Sequence, residues 1–324
     1  MMPAQDTSSP RPRTELAPAL HIVLNAASGS GDAKEALRII EDILAASGRR
    51  FQLLPVEDPK RIGVIVQRAV ESAIRDQGAI VAAGGDGTIN AVARAALPTG
   101  RPFGIIPQGT FNYSSRAHGI PLDPAAATRA LLTARIEPIQ VGMVNDRIFL
   151  VNASLGMYPE LLEDRERYKQ RFGRRRIVAI YSGLVTLLRT HRQLVLEIEC
   201  DQERELVRTP TLFVGNNPLQ LEQFGLPEAE DVQRRRLAAV IVKPVSSMTM
   251  LWLALRGALG QLGEEERVRN FAFRRLVVRR AHGYGARQIK VATDGEICRL
   301  SLPLEFKVAP QPLLLMVPNE PTDS

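Results

Sequence analysis

Asp86 stands among glycines in the run Val81-Ala82-Ala83-Gly84-Gly85-Asp86-Gly87-Thr88-Ile89-Asn90. Residues 79–83 are apolar, as a buried strand would be, and residues 89–97 follow a helical pattern. A strand that enters a helix through glycines presents backbone N–H groups at the positive helix end, which suits a phosphate. Glycine also permits φ > 0 and a close approach of phosphate oxygens to the backbone. A carboxylate faces such oxygens only across a cation or a proton, so the loop as a whole points to a nucleotide with Mg²⁺. An ordinary tight turn would use the same residues. The run holds no Gly-Lys-Ser/Thr, and Asn90 stands where a dinucleotide fingerprint needs glycine. Taken alone, it leaves both readings open.

Two more glycine-bearing loops follow short apolar runs. Asn25-Ala26-Ala27-Ser28-Gly29-Ser30-Gly31 comes after Leu20–Leu24, and Pro107-Gln108-Gly109-Thr110 after Phe103–Ile106. A further strand is expected over residues 51–55. Helices are expected over 33–46 and 62–74, the first capped by Asp32 with Glu35 three residues on, and stopped at Gly48. Strands alternating with helices imply a parallel sheet covered on both faces. Ligands of such sheets bind beyond the carboxyl ends of the strands. All three loops fall on that edge, which favours the ligand reading over three unrelated turns.

Beyond Asn145 the texture changes. Strand-like runs cover residues 147–151, 194–200, 206–214, 237–243, 271–279, 288–293 and 304–308. Helical inserts are expected at 159–168, 177–190 and 246–262. This reads as a largely antiparallel second domain. Asp294-Gly295-Glu296 ends one strand-like run, and on its residues alone it reads as a charged hairpin turn.

Hydrophobic residues make up 45% of the 324-residue chain, enough to fill real cores. Two cysteines provide no disulfide framework, and no Cys/His spacing suggests zinc. The net charge is +7, with basic clusters at Arg174-Arg175-Arg176, Arg234-Arg235-Arg236, Arg274-Arg275 and Arg279-Arg280. An anionic membrane surface would explain them, as would a solvated face. Aromatic residues, at 5%, offer few stacking platforms, which disfavours single-stranded nucleic acid. Residues 1–18 read as a disordered tail without the apolar core of a leader, and no apolar run reaches membrane-spanning length.

Four segments carry a resemblance. Gly84-Gly85-Asp86-Gly87-Thr88-Ile89-Asn90 resembles the signature of the diacylglycerol kinase catalytic family, which includes sphingosine kinases and bacterial lipid kinases. Leu24-Asn25-Ala26-Ala27-Ser28-Gly29, Ile106-Pro107-Gln108-Gly109-Thr110-Phe111-Asn112 and Asp294-Gly295-Glu296 follow in the family's order. The likeness runs from about His21 to Pro318. It implies a nucleotide site at Asn25, Ser28, Gly29, Gly84, Gly85, Asp86, Gly87, Thr88, Asn90, Gly109, Thr110 and Asn112. It also implies that Asp294 is the first candidate for general base, with Glu296 beside it, and that Asp86 handles the metal-bound nucleotide.

The sequence departs from the family at several points. Ala26 replaces a proline. Tyr113 replaces the aspartate of Gly-Thr-x-Asn-Asp, and a phenol with pKa near ~10 cannot stand in for a carboxylate beside Mg²⁺. Gly215-Asn216-Asn217 fits, but Asp231-Val232-Gln233-Arg234-Arg235-Arg236-Leu237 replaces the Asp-Gly-x-Leu that goes with a structural metal, so none is expected there.

The resemblance implies an α/β first domain with a parallel sheet, like NAD kinases and phosphofructokinases, and a mainly antiparallel, β-rich second domain. The expected divisions are residues 19–145 for the nucleotide domain, 146–303 for the lipid domain, and 304–324 as a segment returning to the first. The expected activity is ATP- and Mg²⁺-dependent phosphorylation of a hydroxyl on a lipid such as diacylglycerol. The alternatives are a sphingoid-base or other lipid kinase, a kinase of a soluble alcohol, or a lipid- or nucleotide-binding regulator without turnover. The expected setting is cytoplasmic and peripheral, at an anionic membrane surface, without nucleic acid; the oligomeric state, a homodimer included, stays open.

Overall fold

The computed structural model describes residues 18–26, 31–157, 159, 162–163, 193–200, 202–281 and 287–319. Ser28 and Gly29 lie outside the described residues. So do Arg174–Arg176, the helix expected at 177–190 and most of the one expected at 159–168.

The first sheet is built from β1 (Leu20–Asn25), β2 (Phe51–Val56), β3 (Ala79–Gly84), β4 (Phe103–Pro107), β5 (Arg135–Ile139) and β18 (Leu313–Val317). Its order is β2-β1-β3-β4-β18-β5, parallel throughout except for the β18–β5 pair. Every residue of β3 is buried, because helices cover both faces of a parallel sheet. The helices of this domain are α1 (Gly31–Ser47), α2 (Ile62–Arg75), α3 (Asp86–Ala96), α4 (Tyr113–Ala117) and α5 (Pro124–Leu132). Two of them begin earlier than their patterns predict. Asp32 lies inside α1 rather than capping it, and α3 opens at Asp86 with Gly85 as its N-cap. The signature carboxylate therefore belongs to the first turn of a helix.

The remaining strands are β6 (Gly142–Val144), β7 (Arg147–Phe149), β8 (Asn152–Gly156), β9 (Leu194–Cys200), β10 (Glu203–Thr209), β11 (Thr211–Gly215), β12 (Leu237–Val242), β13 (Val268–Phe273), β14 (Arg275–Arg280), β15 (Gln288–Thr293), β16 (Glu296–Ser301) and β17 (Leu304–Val308). They form two antiparallel six-stranded sheets, β10-β9-β14-β17-β6-β7 and β13-β12-β11-β8-β15-β16. Leu155, Phe273 and Phe306 are among the residues of the core these strands share. The second of these sheets carries α6 (Pro218–Gln223), α7 (Ala229–Gln233) and α8 (Ser247–Ala258). β12 shows why: Leu237, Ala239 and Ile241 enter the shared core, while Ala238, Val240 and Val242 pack under these helices. An unbroken apolar run is what a strand buried on both faces requires.

The domain limits fall elsewhere than the change of texture suggests. β6 precedes Asn145 yet pairs with β17 in the second domain, so the crossover lies between Ile139 and Gly142. β17 also belongs to the second domain, and only β18 returns to the first sheet. Two expected strands are each two strands. Pro210, with no N–H for a ladder, separates β10 from β11, and Arg274 separates β13 from β14.

Candidate active site

The ends of β1, β3 and β4 lie side by side, with Leu24 opposite Ala83 and Gly84 opposite Pro107. Their loops therefore meet. Asn25 Nδ2 donates to Thr88 Oγ1 at 3.2 Å, which ties the first loop to α3. Thr88 packs over Gly84 so closely that a Cβ there would lie 2.8 Å from the threonine's own. A Cβ on Gly109 would lie 3.1 Å from the Cα of Gly85 and 2.7 Å from Asn112 Oδ1. Asn112 adopts φ +49 and clamps its own loop, its Oδ1 accepting from Gly109 N and its Nδ2 donating to Gly109 O. Thr110 is exposed at the rim.

Asp86 is the open group at this edge. Its Oδ1 is buried without a hydrogen-bond partner, as is the neighbouring Gln108 Nε2. Burial pushes the carboxyl above its ordinary range, while the backbone N–H groups of Asn112 and of Asp86 itself pull it down. A buried carboxylate oxygen with nothing to accept from fits a cation, and the glycine edge fits phosphate. Among the described residues no group of three His, Cys, Asp or Glu side chains is placed to hold a metal. One carboxylate shared with phosphate oxygens is a donor set that suits Mg²⁺.

Asp294 is arranged in the opposite way. With Gly295 it forms the turn of the β15–β16 hairpin, both residues at positive φ as a two-residue turn of the I′ kind demands. Oδ1 accepts from Val151 N at 2.8 Å and Asn152 N at 2.9 Å; Oδ2 accepts from Leu150 N at 2.7 Å and Asn90 Nδ2 at 2.5 Å. Burial raises its carboxyl to about 6, outweighing the four donors that favour the ionised form. Two donors on each oxygen leave no lone pair for a substrate proton. The expectation that Asp294 is a free base thus meets a carboxylate that joins α3, the segment between β7 and β8, and the hairpin. The amide of Asn90, a residue expected at the nucleotide, donates to Asp294.

Glu296 does reach the loops. A Cβ on Gly87 would meet its Oε1 at 3.0 Å, so this second-domain carboxylate lies on the first turn of α3. Burial pushes it up, and Arg94 and Arg147 pull it down. The turn at Gly295 separates the roles of two acids that are two residues apart.

Tyr113 packs partly into the first core and stacks on Phe111, the rings 6.0 Å apart at an interplanar angle of 5°. Its carbonyl accepts from Asn217 Nδ2 at 3.3 Å. Asn217 caps α6, and Asn216 Nδ2 donates to Leu150 O at 2.9 Å, directly behind the Asp294 clamp. Asp231 pairs with Arg236 at 3.3 Å. The reading of the sequence missed the N–H groups of Leu150 and Val151, because backbone donors leave no mark on residue type. It also missed Gln108 as an unpartnered side chain.

An α/β sheet with glycine loops on its carboxyl edge, closed over by a β-rich domain, defines the diacylglycerol kinase-like class of folds. The solved structure of a diacylglycerol kinase from Bacillus anthracis str. Sterne superimposes with a TM-score of 0.68 at 19% identity, over 95% of this chain and 99% of that one. Residues 19–144 match the model of the diacylglycerol kinase catalytic domain. The diacylglycerol kinase of Bacillus subtilis (strain 168) is 37% identical over 143 residues, which are 43% of this chain and 46% of that protein. A Serratia proteamaculans (strain 568) protein named "Probable lipid kinase YegS-like" is 35% identical over 144 residues, 43% of this chain and 45% of that one. The matched stretch spans about half the length of these curated relatives.

Proposed function

We propose that the protein is an ATP- and Mg²⁺-dependent lipid kinase that phosphorylates a hydroxyl of diacylglycerol. The observation that carries this reading is the buried, unpartnered Oδ1 of Asp86 at the head of α3. The N–H groups of the loops around Gly84–Gly87 and Gly109–Thr110 hold phosphate oxygens, and the helix end adds its positive pole. Asp86 would hold Mg²⁺, which when bound would offset the charge of the phosphates. Glu296 is the proton acceptor for the lipid hydroxyl, because its carboxylate lies over Gly87 and no donor reaches it among the described residues. Asp294 is a positioning residue that fixes the hairpin from which Glu296 projects.

The test offers labelled ATP and Mg²⁺ with diacylglycerol, a sphingoid base or glycerol. Label on diacylglycerol supports the reading. Label on a sphingoid base moves the substrate, label on glycerol moves the class, and nucleotide binding without any transfer indicates a regulator. Glu296→Gln should lower transfer by about 10²–10⁴-fold with nucleotide affinity retained. Wild-type turnover in that variant would remove Glu296 from the role.

A further inference from the structure

α8 buries one face and leaves the other uncovered. Met250 and Leu253 pack with Val240 and Val242 beneath the helix. On the opposite side Met248, Trp252, Leu255 and Leu259 are 68%, 51%, 50% and 63% exposed. Their spacing of four, three and four residues makes one stripe along the 12-residue helix and its C-cap. Large apolar side chains in a row, with an indole among them, are an unusual cost for a surface that meets only water.

The charges beside this stripe identify what covers it. Lys243 precedes the helix cap Ser246, its N–H donating to Arg267 O at 2.8 Å. Thr209 Oγ1 donates to Val242 O at 2.7 Å, which brings Arg208 to the same corner. Lys243, Arg267 and Arg208 are exposed and make no ion pair among the described residues, against one exposed acid, Glu266. Glu264 and Glu265, near the far end of the helix, are taken up by Arg256 at 3.3 and 2.9 Å. Of the described arginine runs, Arg234, Arg236, Arg275 and Arg279 pair with Glu230, Asp231, Glu305 and Glu199, while Arg235, Arg274 and Arg280 make no ion pair among the described residues. Three cations that make no ion pair among the described residues thus stand together at the start of α8, drawn from three separate segments.

We infer that the exposed face of α8 and its cationic corner are the surface by which the protein docks on an anionic lipid bilayer. A short helix with an apolar stripe lies in the headgroup region, and tryptophan prefers that depth. Cations at its end add attraction to anionic headgroups that salt screens. The inference extends the lipid-kinase reading, but it is measured without turnover, so the two can fail separately.

Trp252 is the only tryptophan of the chain and reports on this surface directly. Adding phosphatidylcholine vesicles that contain phosphatidylglycerol should shift its emission to the blue, and added salt should reverse the shift. Pure phosphatidylcholine vesicles should leave it in place. Trp252→Ser should weaken sedimentation with the anionic vesicles by about tenfold, and Lys243→Glu and Arg267→Glu by at least about fivefold each. Far-UV circular dichroism checks that each variant is folded. Unshifted emission, or equal sedimentation of wild type and Trp252→Ser, overturns the proposal. A blue shift that grows with protein concentration in the absence of vesicles assigns the face to a second copy and also overturns it. Vesicle binding as expected without phosphorylation of any lipid leaves the docking surface standing and removes the kinase reading.

Discussion

Asp86 and Asp294 are both half-buried carboxylates that precede a glycine, and they differ in what their oxygens meet. Asp86 Oδ1 meets nothing, whereas each oxygen of Asp294 accepts two N–H donors. The first keeps an acceptor open at the edge of a sheet, which costs stability and leaves room for chemistry. The second uses every lone pair to hold two domains in register. An acid at a site does not announce which kind it is; the donors around it do.

The sharpest way to break this contrast is Asp86→Asn. Transfer should fall by about 10³-fold or more, and the melting temperature should stay level or rise, because a carboxylate whose ionised form burial disfavours has been removed. Labelled-phosphate transfer and a thermal melt read the two effects. A variant that unfolds while still turning over would make Asp86 the structural acid. Asp294→Ala should do the reverse at the level of the fold. It leaves four donors without their acceptor at about 1–3 kcal/mol each, so urea unfolding should show a loss of about 4 kcal/mol or more.

The pH dependence sharpens the comparison further. Asp294 binds its proton more tightly folded, with the carboxyl raised from 3.8 to about 6. Its contribution is complete below the unfolded value and is lost as the pH rises through about 6. Between pH 4 and pH 7 the wild type should lose up to about 3 kcal/mol relative to Asp294→Asn. Urea midpoints of the pair at several pH values measure this, and a constant gap would mean that the four donors cancel the burial. The smallest effect is expected at Tyr113→Asp. It replaces a ring packed on the first core and should cost about 1–3 kcal/mol without raising activity. A large gain in transfer would show instead that the tyrosine blocks the site.

Much of this arrangement was legible in residue types. The apolar runs at residues 20–24, 79–83 and 103–106 place three glycine loops on one edge, because parallel strands leave their ends aligned. Asp294-Gly295 is legible as a hairpin turn, since that pair suits two positive φ values. The occupancy of the Asp294 oxygens was not legible, as three of its four donors are backbone N–H groups from residues 150–152. Neither was the commitment of Asn90 to an acid 204 positions away. The cationic corner of α8 escaped for the same reason: Lys243 and Arg267 become neighbours at the end of the β12–β13 pair, and Arg208 joins them through the Thr209 hydroxyl.

One feature of the first sheet governs the order in which the protein can be made. Among the described residues β5 has β18 as its only neighbour in the sheet, and β18 lies between it and β4. The whole second domain is translated between these two strands. At roughly 5–20 residues per second the nascent first domain waits on the order of ten seconds with β5 and the edge of β4 unpaired. Such an edge invites pairing with another chain until residues 313–317 emerge and occupy it. Synthesis that stops short of Leu313 would therefore leave every second-domain strand present and the first domain still open.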